Sequence, residues 1–436
     1  MRIAIIDAYH DSDRGGAGIL SGLLEMLQTV AEELDQTLDI GIVYRFSQND
    51  LRFATASRHT SRAYPKASIY SAPLSTTQRA PGIAGWSKLL VVLLVSLLKL
   101  ALPTLSRDPA VRVIAKADIV ISKGGHFYRS YRKGSVQGAL GAYLSFYTLL
   151  LALRLRKKVY VLAHSFGPFT SSGSRKVATA VLSRVHFLST RESESRRILS
   201  EIGISTSSVE VLPDTAFALM PTDEATIACF LEEKGLKKRQ FALITALHWS
   251  FPELELKEAE EAYTRYLDEM AHIADHLITS HYVEKVVLAV HNDGQHAPSE
   301  DDSKPVTEIY DRIQHKEAAL VICDDLSPAF QAGFYGQARV VVGTRMHSVI
   351  FALVGGAPAI AISYTHKTDG IMRMVGLADY VLDIASISWA DALTKIGNLL
   401  ANEKSVAEST THRVSQLRSQ LRQTLGHILR ENYPSD

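Results

Sequence analysis

The chain has 436 residues, of which 46% are hydrophobic and 21% are charged, a globular composition that excludes a disordered or fibrous protein. Its 47 Lys and Arg nearly balance 46 Asp and Glu, so the net charge is +1, which argues against a nucleic-acid partner. Only two cysteines are present, Cys229 and Cys323, which excludes a disulfide framework and indicates a reducing compartment. At about 150 residues per domain, the length fits three domains or two larger ones.

The first half of the chain alternates β-branched runs with helical patterns. The first run, residues 2–6, is too short for a signal peptide and predicts a buried strand that ends at Asp7. Further strands are predicted at 118–122, 158–163, 187–189 and 209–212, and helices at 19–34, 140–155, 175–185 and 193–202. This alternation is typical of βαβ units around a parallel sheet, with a polar, irregular stretch at about 45–88.

A nearly continuous apolar segment, residues 89–105, raises the question of a membrane. Lys99 interrupts it and Pro103 would end a helix there, so it falls short of the roughly 20 residues that a spanning helix needs. Two interpretations remain open: a helix buried against the sheet, or a helix lying in the plane of a membrane surface. The sequence therefore predicts a soluble or peripheral protein.

The pattern restarts after Met220 and Pro221. Strands are predicted at 241–247, 285–291, 318–323, 339–342 and 359–363, with helices at 256–280, 303–315, 328–336, 346–354 and 370–375. A polar helix follows at 404–432. We therefore predict an N-terminal α/β domain (1–220), a C-terminal α/β domain (221–403) and a terminal helix (404–436), with ligands bound in a cleft beyond the carboxyl ends of the strands.

Arg345 and His347 are the most informative pair of residues. They follow a predicted strand and Gly343, at the opening of a helix, where backbone N–H groups and the helix dipole favour an anion. Arginine binds carboxylate or phosphate with a planar fork, and histidine transfers protons near neutral pH. The alternative is that Arg345 pairs with a structural carboxylate and that His347 packs or caps the helix.

Other candidate residues also follow predicted strands. Lys367 lies beyond the strand at 359–363, and Gly124, Gly125 and His126 follow the strand at 118–122. Paired glycines let a backbone approach a ligand closely, or merely form a turn.

Three more strand ends carry polar side chains. His164 follows the strand at 158–163, Arg191 opens a helix beside Glu192, and Asp214 follows the strand at 209–212. Glu192 is the simplest partner for Arg191, and an Asp in the position of Asp214 is as often a turn-former as a base.

Taken in order, several of these motifs resemble the polysaccharide pyruvyl transferases, whose fold is similar to that of two-domain GT-B glycosyltransferases. The matching pieces are ADIVISKGG at 117–125, SFGP at 165–168, TRES at 190–193, LPD at 212–214, and GTRMH at 343–347 with Tyr364 and Lys367. The resemblance spans about 110–375 and implies an α/β, GT-B-like fold of two Rossmann-like domains with parallel sheets facing a cleft.

The resemblance implies that pyruvate is transferred from phosphoenolpyruvate to two hydroxyls of a sugar, giving a cyclic ketal and phosphate. It assigns Arg191 and Arg345 to the donor with Lys367 in support, His347 to proton transfer, and Asp214 to a second such role. No cofactor or metal is implied. We expect the acceptor to lie on the N-terminal domain, near Gly124, Gly125, His126 and His164.

Two departures from the family pattern concern the acceptor. Residues 13–18 read DRGGAG where the family has an Asn-x-Gly-Asp type turn, and Ser122-Lys123 stand where a third glycine is common. A lipid-linked saccharide at the cytoplasmic face of the membrane would explain the apolar segment. The rival functions are a GT-B glycosyltransferase that uses a nucleotide sugar and a saccharide-binding protein without activity.

Overall fold

The computed structural model describes residues 1–48, 50–74, 83–295 and 300–433, which form two compact units. The first unit contains Met1–Asp11, Leu23–Thr215 and Gln420–Asp436, and the second contains Ser12–Gly22 and Ala216–Ser419. The sequence-based boundary at 220 lies a few residues beyond the junction between Thr215 and Ala216.

The first unit is built on an all-parallel sheet. Its strands are β1 (Arg2–Ala8), β2 (Asp39–Tyr44), β3 (Ser68–Tyr70), β4 (Ile119–Ser122), β5 (Gly125–Ser130), β6 (Lys158–Phe169), β7 (Phe187–Thr190) and β8 (Glu210–Val211). Its helices are α1 (Arg14–Glu33), whose first turns belong to the second unit, α2 (Arg58–Ala63), α3 (Ile83–Ala101), α4 (Pro109–Lys116), α5 (Ser135–Arg154), α6 (Ser172–Leu182) and α7 (Ser193–Glu201). The strand order is β3-β2-β1-β4-β6-β7-β8, and β5 pairs with β6.

The second unit repeats this architecture. Its strands are β9 (Phe241–Thr245), β10 (Lys285–Ala289), β11 (Ala319–Ile322), β12 (Val340–Gly343), β13 (Ala359–Ser363) and β14 (Val381–Asp383). Its helices are α8 (Glu224–Glu233), α9 (Leu256–Thr279), α10 (Ser303–Arg312), α11 (Pro328–Tyr335), α12 (Met346–Gly355), α13 (His366–Met374) and α14 (Trp389–Ala401). The parallel sheet has the order β11-β10-β9-β12-β13-β14. The long α15 (Glu403–Asn432) begins in the second unit and ends in the first.

Strands covered by helices on both faces bury every side chain, which explains their continuous apolar runs. In β9, for example, Phe241, Ala242, Leu243 and Ile244 are fully buried. They face alternate sides of the sheet and so belong to two separate core clusters. The predicted α/β class with two parallel sheets is confirmed.

The helix α5 is long and apolar enough to cross a membrane by length and composition alone. In the structure it is a core helix, since Phe146, Leu149, Leu151 and Ala152 lie in the main apolar cluster of the first unit. The segment 89–105 forms most of α3 and the short 3-10 turn Pro103–Leu105 that follows. Burial of this helix against the sheet is not what the structure shows, because several of its leucines are exposed to solvent.

Candidate active site

The strand order indicates where a ligand is expected to bind in each unit. In both sheets the order reverses once, between β1 and β4 in the first unit and between β9 and β12 in the second. Open parallel sheets bind ligands beyond the carboxyl ends of the strands at this reversal. Each unit carries a cluster of buried polar side chains at that edge.

In the second unit, Arg345 and His347 lie at the junction of β12 and α12, as the sequence predicts. Ser348 fixes the turn, because its hydroxyl donates to the carbonyl of Arg345 at 2.7 Å and lies 2.7 Å from the hydroxyl of Thr245 in β9. A side chain at Gly343 would lie 2.7 Å from Val349, so only glycine lets the chain turn this tightly. Arg345 is the N-cap residue of α12.

Arg345 is held by a buried carboxylate. Its Nε lies 3.1 Å from both carboxylate oxygens of Asp302, and its Nη2 donates to the same group at 2.6 Å and to the carbonyl of Glu300 at 3.0 Å. Nη1 takes part in none of these bonds, and a fifth of the side chain is exposed. Asp302 is therefore the carboxylate partner that the sequence analysis considered as the alternative for Arg345. It orients the guanidinium but does not enclose it.

The charges of this pair depend on each other. Burial raises the pKa of Asp302 to about 6, although Arg345 acts to lower it. Burial alone would lower the pKa of Arg345, but the Asp302 carboxylate raises it above its ordinary value. Arg345 therefore stays positively charged.

His291, immediately beyond β10, was not selected from the sequence. It is buried, its ring centroid lies 5.4 Å from that of Phe351, and its Nδ1 lies 3.4 Å from the hydroxyl of Tyr335. Burial lowers its pKa well below the ordinary value, with Arg345, His347 and other positive charge adding to the effect. Among the described residues, its Nε2 has no hydrogen-bond partner.

The start of α1 belongs to this cluster and to the second unit, so residues 13–18 do not lie in the N-terminal domain where the sequence analysis placed them. Arg14 is buried and donates to Asp293 at 2.8 Å and also to Asp325, and its backbone N–H donates to Asn292 at 3.1 Å. The next residue, Gly15, lies directly against the imidazole of His347, leaving no space for a side chain.

Lys367 lies in the first turn of α13, immediately beyond β13, the neighbour of β12. Tyr364, three residues before Lys367, is close enough to contribute to the raised pKa of Arg345. Its ring centroid lies 4.7 Å from that of Trp249. The structure thus brings Arg345, His347 and Lys367 to adjacent strand ends of one sheet.

In the first unit, a chain of hydrogen bonds joins Asp7, Ser122, Tyr128 and His164, which come from β1, β4, β5 and β6. The hydroxyl of Ser122 donates to Asp7 at 2.8 Å, and the hydroxyl of Tyr128 donates to the same oxygen at 2.5 Å. His164 Nε2 lies 2.9 Å from the hydroxyl oxygen of Ser122. All four are buried, and Asp7 has a φ of 68°, an unusual conformation for a residue other than glycine.

This chain of bonds fixes the state of His164. Because Ser122 gives its proton to Asp7, its oxygen accepts the Nε2–H of His164, and Nδ1 keeps a lone pair. Among the described residues, that Nδ1 has no hydrogen-bond partner. Burial lowers the pKa of His164 to about 3, so the ring is neutral at physiological pH.

The glycine turn predicted from the sequence lies beside this chain of bonds. Gly125 has a φ of 148°, and the ring of Phe127 occupies the space that a side chain would need. His126 Nε2 lies 2.6 Å from the carbonyl of Gly167, and its Nδ1 accepts from Arg129 at 2.9 Å. Gly124 is buried at the same turn.

Arg191 and Asp214 form a buried ion pair in the first unit. Nη1 of Arg191 donates to Asp214 at 2.7 Å, and its Nε donates to the hydroxyl of Ser165 at 2.7 Å. Glu192, the partner suggested by the sequence, is farther from the guanidinium, at 3.7 Å. Arg191 and Asp214, both predicted from the sequence as site residues, are therefore in contact, and each is the ion-pair partner of the other.

The described residues contain no group of three or more His, Cys, Asp or Glu side chains placed to hold a metal ion. The expectation that no metal or cofactor is required stays a prediction.

Comparison with known proteins agrees with the motifs. A sequence model of the polysaccharide pyruvyl transferases matches residues 39–366. The amylovoran biosynthesis protein AmsJ of Erwinia amylovora is 26% identical over 437 residues, covering 96% of both chains.

Solved structures share the fold at low sequence identity. The putative UDP-N-acetylglucosamine 2-epimerase of Listeria monocytogenes has a TM-score of 0.58 at 12% identity, covering 98% of this chain and 97% of its own. HepE of Anabaena, in complex with UDP and glucose, has a TM-score of 0.53 at 12% identity, covering 99% and 98%. These similarities show the architecture of UDP-sugar enzymes and no more. With a family match across three quarters of its length, the chain belongs to the polysaccharide pyruvyl transferase family.

Proposed function

We propose that the protein transfers pyruvate from phosphoenolpyruvate to two hydroxyls of one sugar in a cell-surface polysaccharide or its lipid-linked precursor. The methylene carbon of the donor gains a proton, two C–O bonds form at its central carbon, and the C–O bond to phosphate breaks. Of the two sugar hydroxyl protons that are lost, one is equivalent to the proton gained by the new methyl group, and the other goes to the released phosphate. The observation that carries this proposal is the Arg345 and His347 pair at the reversal point of the second sheet.

Arg345 supplies fixed positive charge to a donor that carries both a phosphate and a carboxylate. Asp302 holds the guanidinium in one orientation, so little reorganisation is needed when the anion binds. Lys367 adds a second cation at the neighbouring strand end. Preorganised charge of this kind stabilises the phosphate as it leaves.

His347 is the proposed proton carrier. It is partly exposed at the opening of α12, and imidazole is the side chain best suited to proton transfer near neutral pH. We assign it either the protonation of the donor methylene or the removal of a hydroxyl proton. Arg191 and Asp214 remain predictions from the resemblance.

The acceptor is proposed to bind the first unit beside Gly124, Gly125, His126 and His164. His126 is partly exposed and can contact a sugar, whereas His164 is fully buried and its place in the acceptor site stays a prediction from the sequence. The half-buried ring of Phe127 lies edge-on to His164, with 6.2 Å between the ring centroids. Aromatic walls with a few placed polar groups are typical of small-molecule sites.

Ligand-dependent thermal unfolding tests the donor. A ligand present at about 100 times its dissociation constant stabilises the fold by roughly 2.7 kcal/mol, which is readily measured. Phosphoenolpyruvate should raise the melting temperature of the wild type, and Arg345→Lys, which keeps a charge beside Asp302, should abolish that rise. The matched control is Arg312→Lys, whose guanidinium pairs with Asp268 at 2.9 Å on an exposed surface of the same unit.

The rival function predicts the opposite result. A glycosyltransferase would be stabilised by nucleotide sugars, regardless of Arg345, and would ignore phosphoenolpyruvate. That outcome would replace the proposal.

A lipid-linked acceptor further implies a cytoplasmic protein held at the inner face of the cell membrane, and this location is part of the proposal.

A further inference from the structure

The balanced net charge of the chain conceals a strong asymmetry. Residues 51–191, which all belong to the first unit, contain 22 Lys and Arg but only two acidic residues, Asp108 and Asp118. The rest of the chain contains 25 Lys and Arg against 44 Asp and Glu. A chain with one strongly basic region of this size favours an anionic surface as its partner.

The same region exposes an apolar helix face. Leu90, Leu94, Leu97 and Leu98 of α3 are between 57% and 61% exposed, and Val91 is exposed to a similar degree. We call these five residues the α3 face. Soluble monomers rarely expose a contiguous apolar patch, so such a patch usually marks a contact surface.

A single polar residue explains why this face points outward. Ser96 is fully buried, and its hydroxyl lies 2.7 Å from the hydroxyl of Tyr143 in α5. The hydroxyl of Tyr147 donates to the carbonyl of Ser96 at 3.2 Å. At about 3.6 residues per turn, Leu94 and Leu98, two positions on either side, point away from α5.

Basic side chains lie beside the C-terminal end of α3. Arg154 donates to the carbonyl of Ala101 at 3.3 Å, and Arg112 donates to the carbonyl of Ser106 at 3.4 Å. Arg107, which directly follows Ser106, is exposed. These three arginines, which we call the basic collar, adjoin the exposed Leu102 and Leu105 that continue the apolar surface.

We infer that the α3 face and the basic collar dock the first unit on an anionic lipid bilayer. An apolar face inserts between lipid headgroups, while arginines at its edge bind the negatively charged headgroups. Charge complementarity selects this occupant, because residues 51–191, which contain α3, carry 22 Lys and Arg against two carboxylates, and one of these, Asp108, is paired with Lys99 of α3. The inference deepens the membrane location that is part of the proposed function, because it names the surface that makes the contact, and this surface contains none of the donor or acceptor residues.

Vesicle co-sedimentation of the full chain tests the inference directly. We expect the wild type to sediment with vesicles of phosphatidylcholine and phosphatidylglycerol, to bind pure phosphatidylcholine far more weakly, and to be released partly by salt. No donor or sugar is present in this assay. Its result is therefore independent of whether phosphoenolpyruvate is the correct donor.

Two double variants separate the apolar and electrostatic contributions. Leu94→Gln with Leu98→Gln should weaken binding by about tenfold or more, because both leucines lose contact with the acyl region. Arg107→Gln with Arg154→Gln should weaken binding to anionic vesicles by about fivefold per arginine and leave the weak neutral binding unchanged. All four side chains are exposed, and thermal unfolding should confirm that both variants remain folded.

Matched controls are available on the same chain. Leu256→Gln replaces a leucine that is 77% exposed in the second unit, and Lys257→Gln removes an exposed charge next to it. Neither should change vesicle binding.

Three results would overturn the inference. The first is wild-type binding that does not prefer anionic vesicles, or that survives in the leucine variant. The second is equal binding of heparin or duplex DNA by wild type and leucine variant, which would identify a polyanion surface. The third is a wild-type dimer in the absence of lipid that Leu94→Gln with Leu98→Gln converts to a monomer, which would show that a second copy covers the face.

Discussion

Replacing Gly15 with alanine tests whether the position of His347 matters for function. A methyl carbon built on Gly15 lies 2.6 Å from Cγ and 2.9 Å from Cε1 of the His347 imidazole. Ordinary contacts between carbon atoms are about 3.5–4.0 Å, so the ring must move by about 1 Å to make room. His347 is partly exposed and can rotate away from the new methyl group. The steric overlap is therefore relieved by moving the imidazole that the proposed mechanism uses for proton transfer.

The expected effect is large on activity and small on stability. A displacement of about 1 Å at a reacting group costs on the order of 100-fold in rate, equivalent to about 2.7 kcal/mol. Alanine favours a helix over glycine by up to about 1 kcal/mol, so the free energy of unfolding should change by no more than that. Gly15→Ala should therefore remain folded and lose pyruvyl transfer.

The assay is the rate of phosphate release from phosphoenolpyruvate with a saccharide acceptor, measured beside the melting temperature. The control is Gly397→Ala in α14, where the new methyl group would lie 3.4 Å from the hydroxyl of Tyr282 and can be accommodated. That variant should keep full activity. Wild-type activity in Gly15→Ala would refute the proposed role of His347.

Three other predictions concern buried polar groups. Because burial lowers the pKa of His164 to about 3, the wild type should lose about 2 kcal/mol of stability relative to His164→Gln between pH 7 and pH 5, measured by urea unfolding at each pH. Asp302 should behave in the opposite sense: its raised pKa of about 6 means that the wild type loses roughly 2 kcal/mol relative to Asp302→Asn as the pH rises from 4 to 7, and parallel curves would contradict this. Tyr128→Phe removes one hydrogen bond to the buried Asp7 and should lower the free energy of unfolding by about 1–3 kcal/mol in chemical denaturation, whereas no change would show that water replaces the hydroxyl.

Most strands with continuous apolar runs could be predicted from the sequence, but β2 (Asp39–Tyr44) was missed although its run DIGIVY is almost entirely apolar. The strand at 359–363 is observed at the predicted residues as β13. By contrast, β5 was missed because its sequence GHFYRS reads as a polar turn, and only its pairing with β6 makes it a strand. The start of α1 was also missed, because glycines at 15, 16 and 18 argue against a helix until Asp13 accepts the N–H of Gly16 at 3.2 Å.

Local motifs identified Arg345 and His347, because both follow one predicted strand within five residues. Tertiary contacts were needed for the rest of the cluster. Asp302, which orients Arg345, lies in a loop that reads as a solvated acidic stretch, and no spacing rule connects it to the arginine. The hydrogen bonds of Asp7, Ser122, Tyr128 and His164 join side chains on four strands, spread from residue 7 to residue 164.

The charge asymmetry of the first unit was visible in the sequence but was hidden by the net charge. Counting charges over the whole chain gave +1 and argued against a polyanionic partner. Counting only residues 51–191, a part of the first unit, gives 22 Lys and Arg against two acidic residues and reverses that impression. The direction of the α3 face, however, depends on the contact of Ser96 with α5, which composition does not reveal.

The most direct test of the proposed function is to follow phosphoenolpyruvate by phosphorus NMR during incubation with saccharide fragments of the cell envelope. Wild type should convert phosphoenolpyruvate to phosphate while mass spectrometry detects a pyruvate ketal on the saccharide. His347→Asn should form no ketal but still be stabilised by phosphoenolpyruvate. Ketal formation by His347→Asn at the wild-type rate, or consumption of a nucleotide sugar in place of phosphoenolpyruvate, would contradict the account.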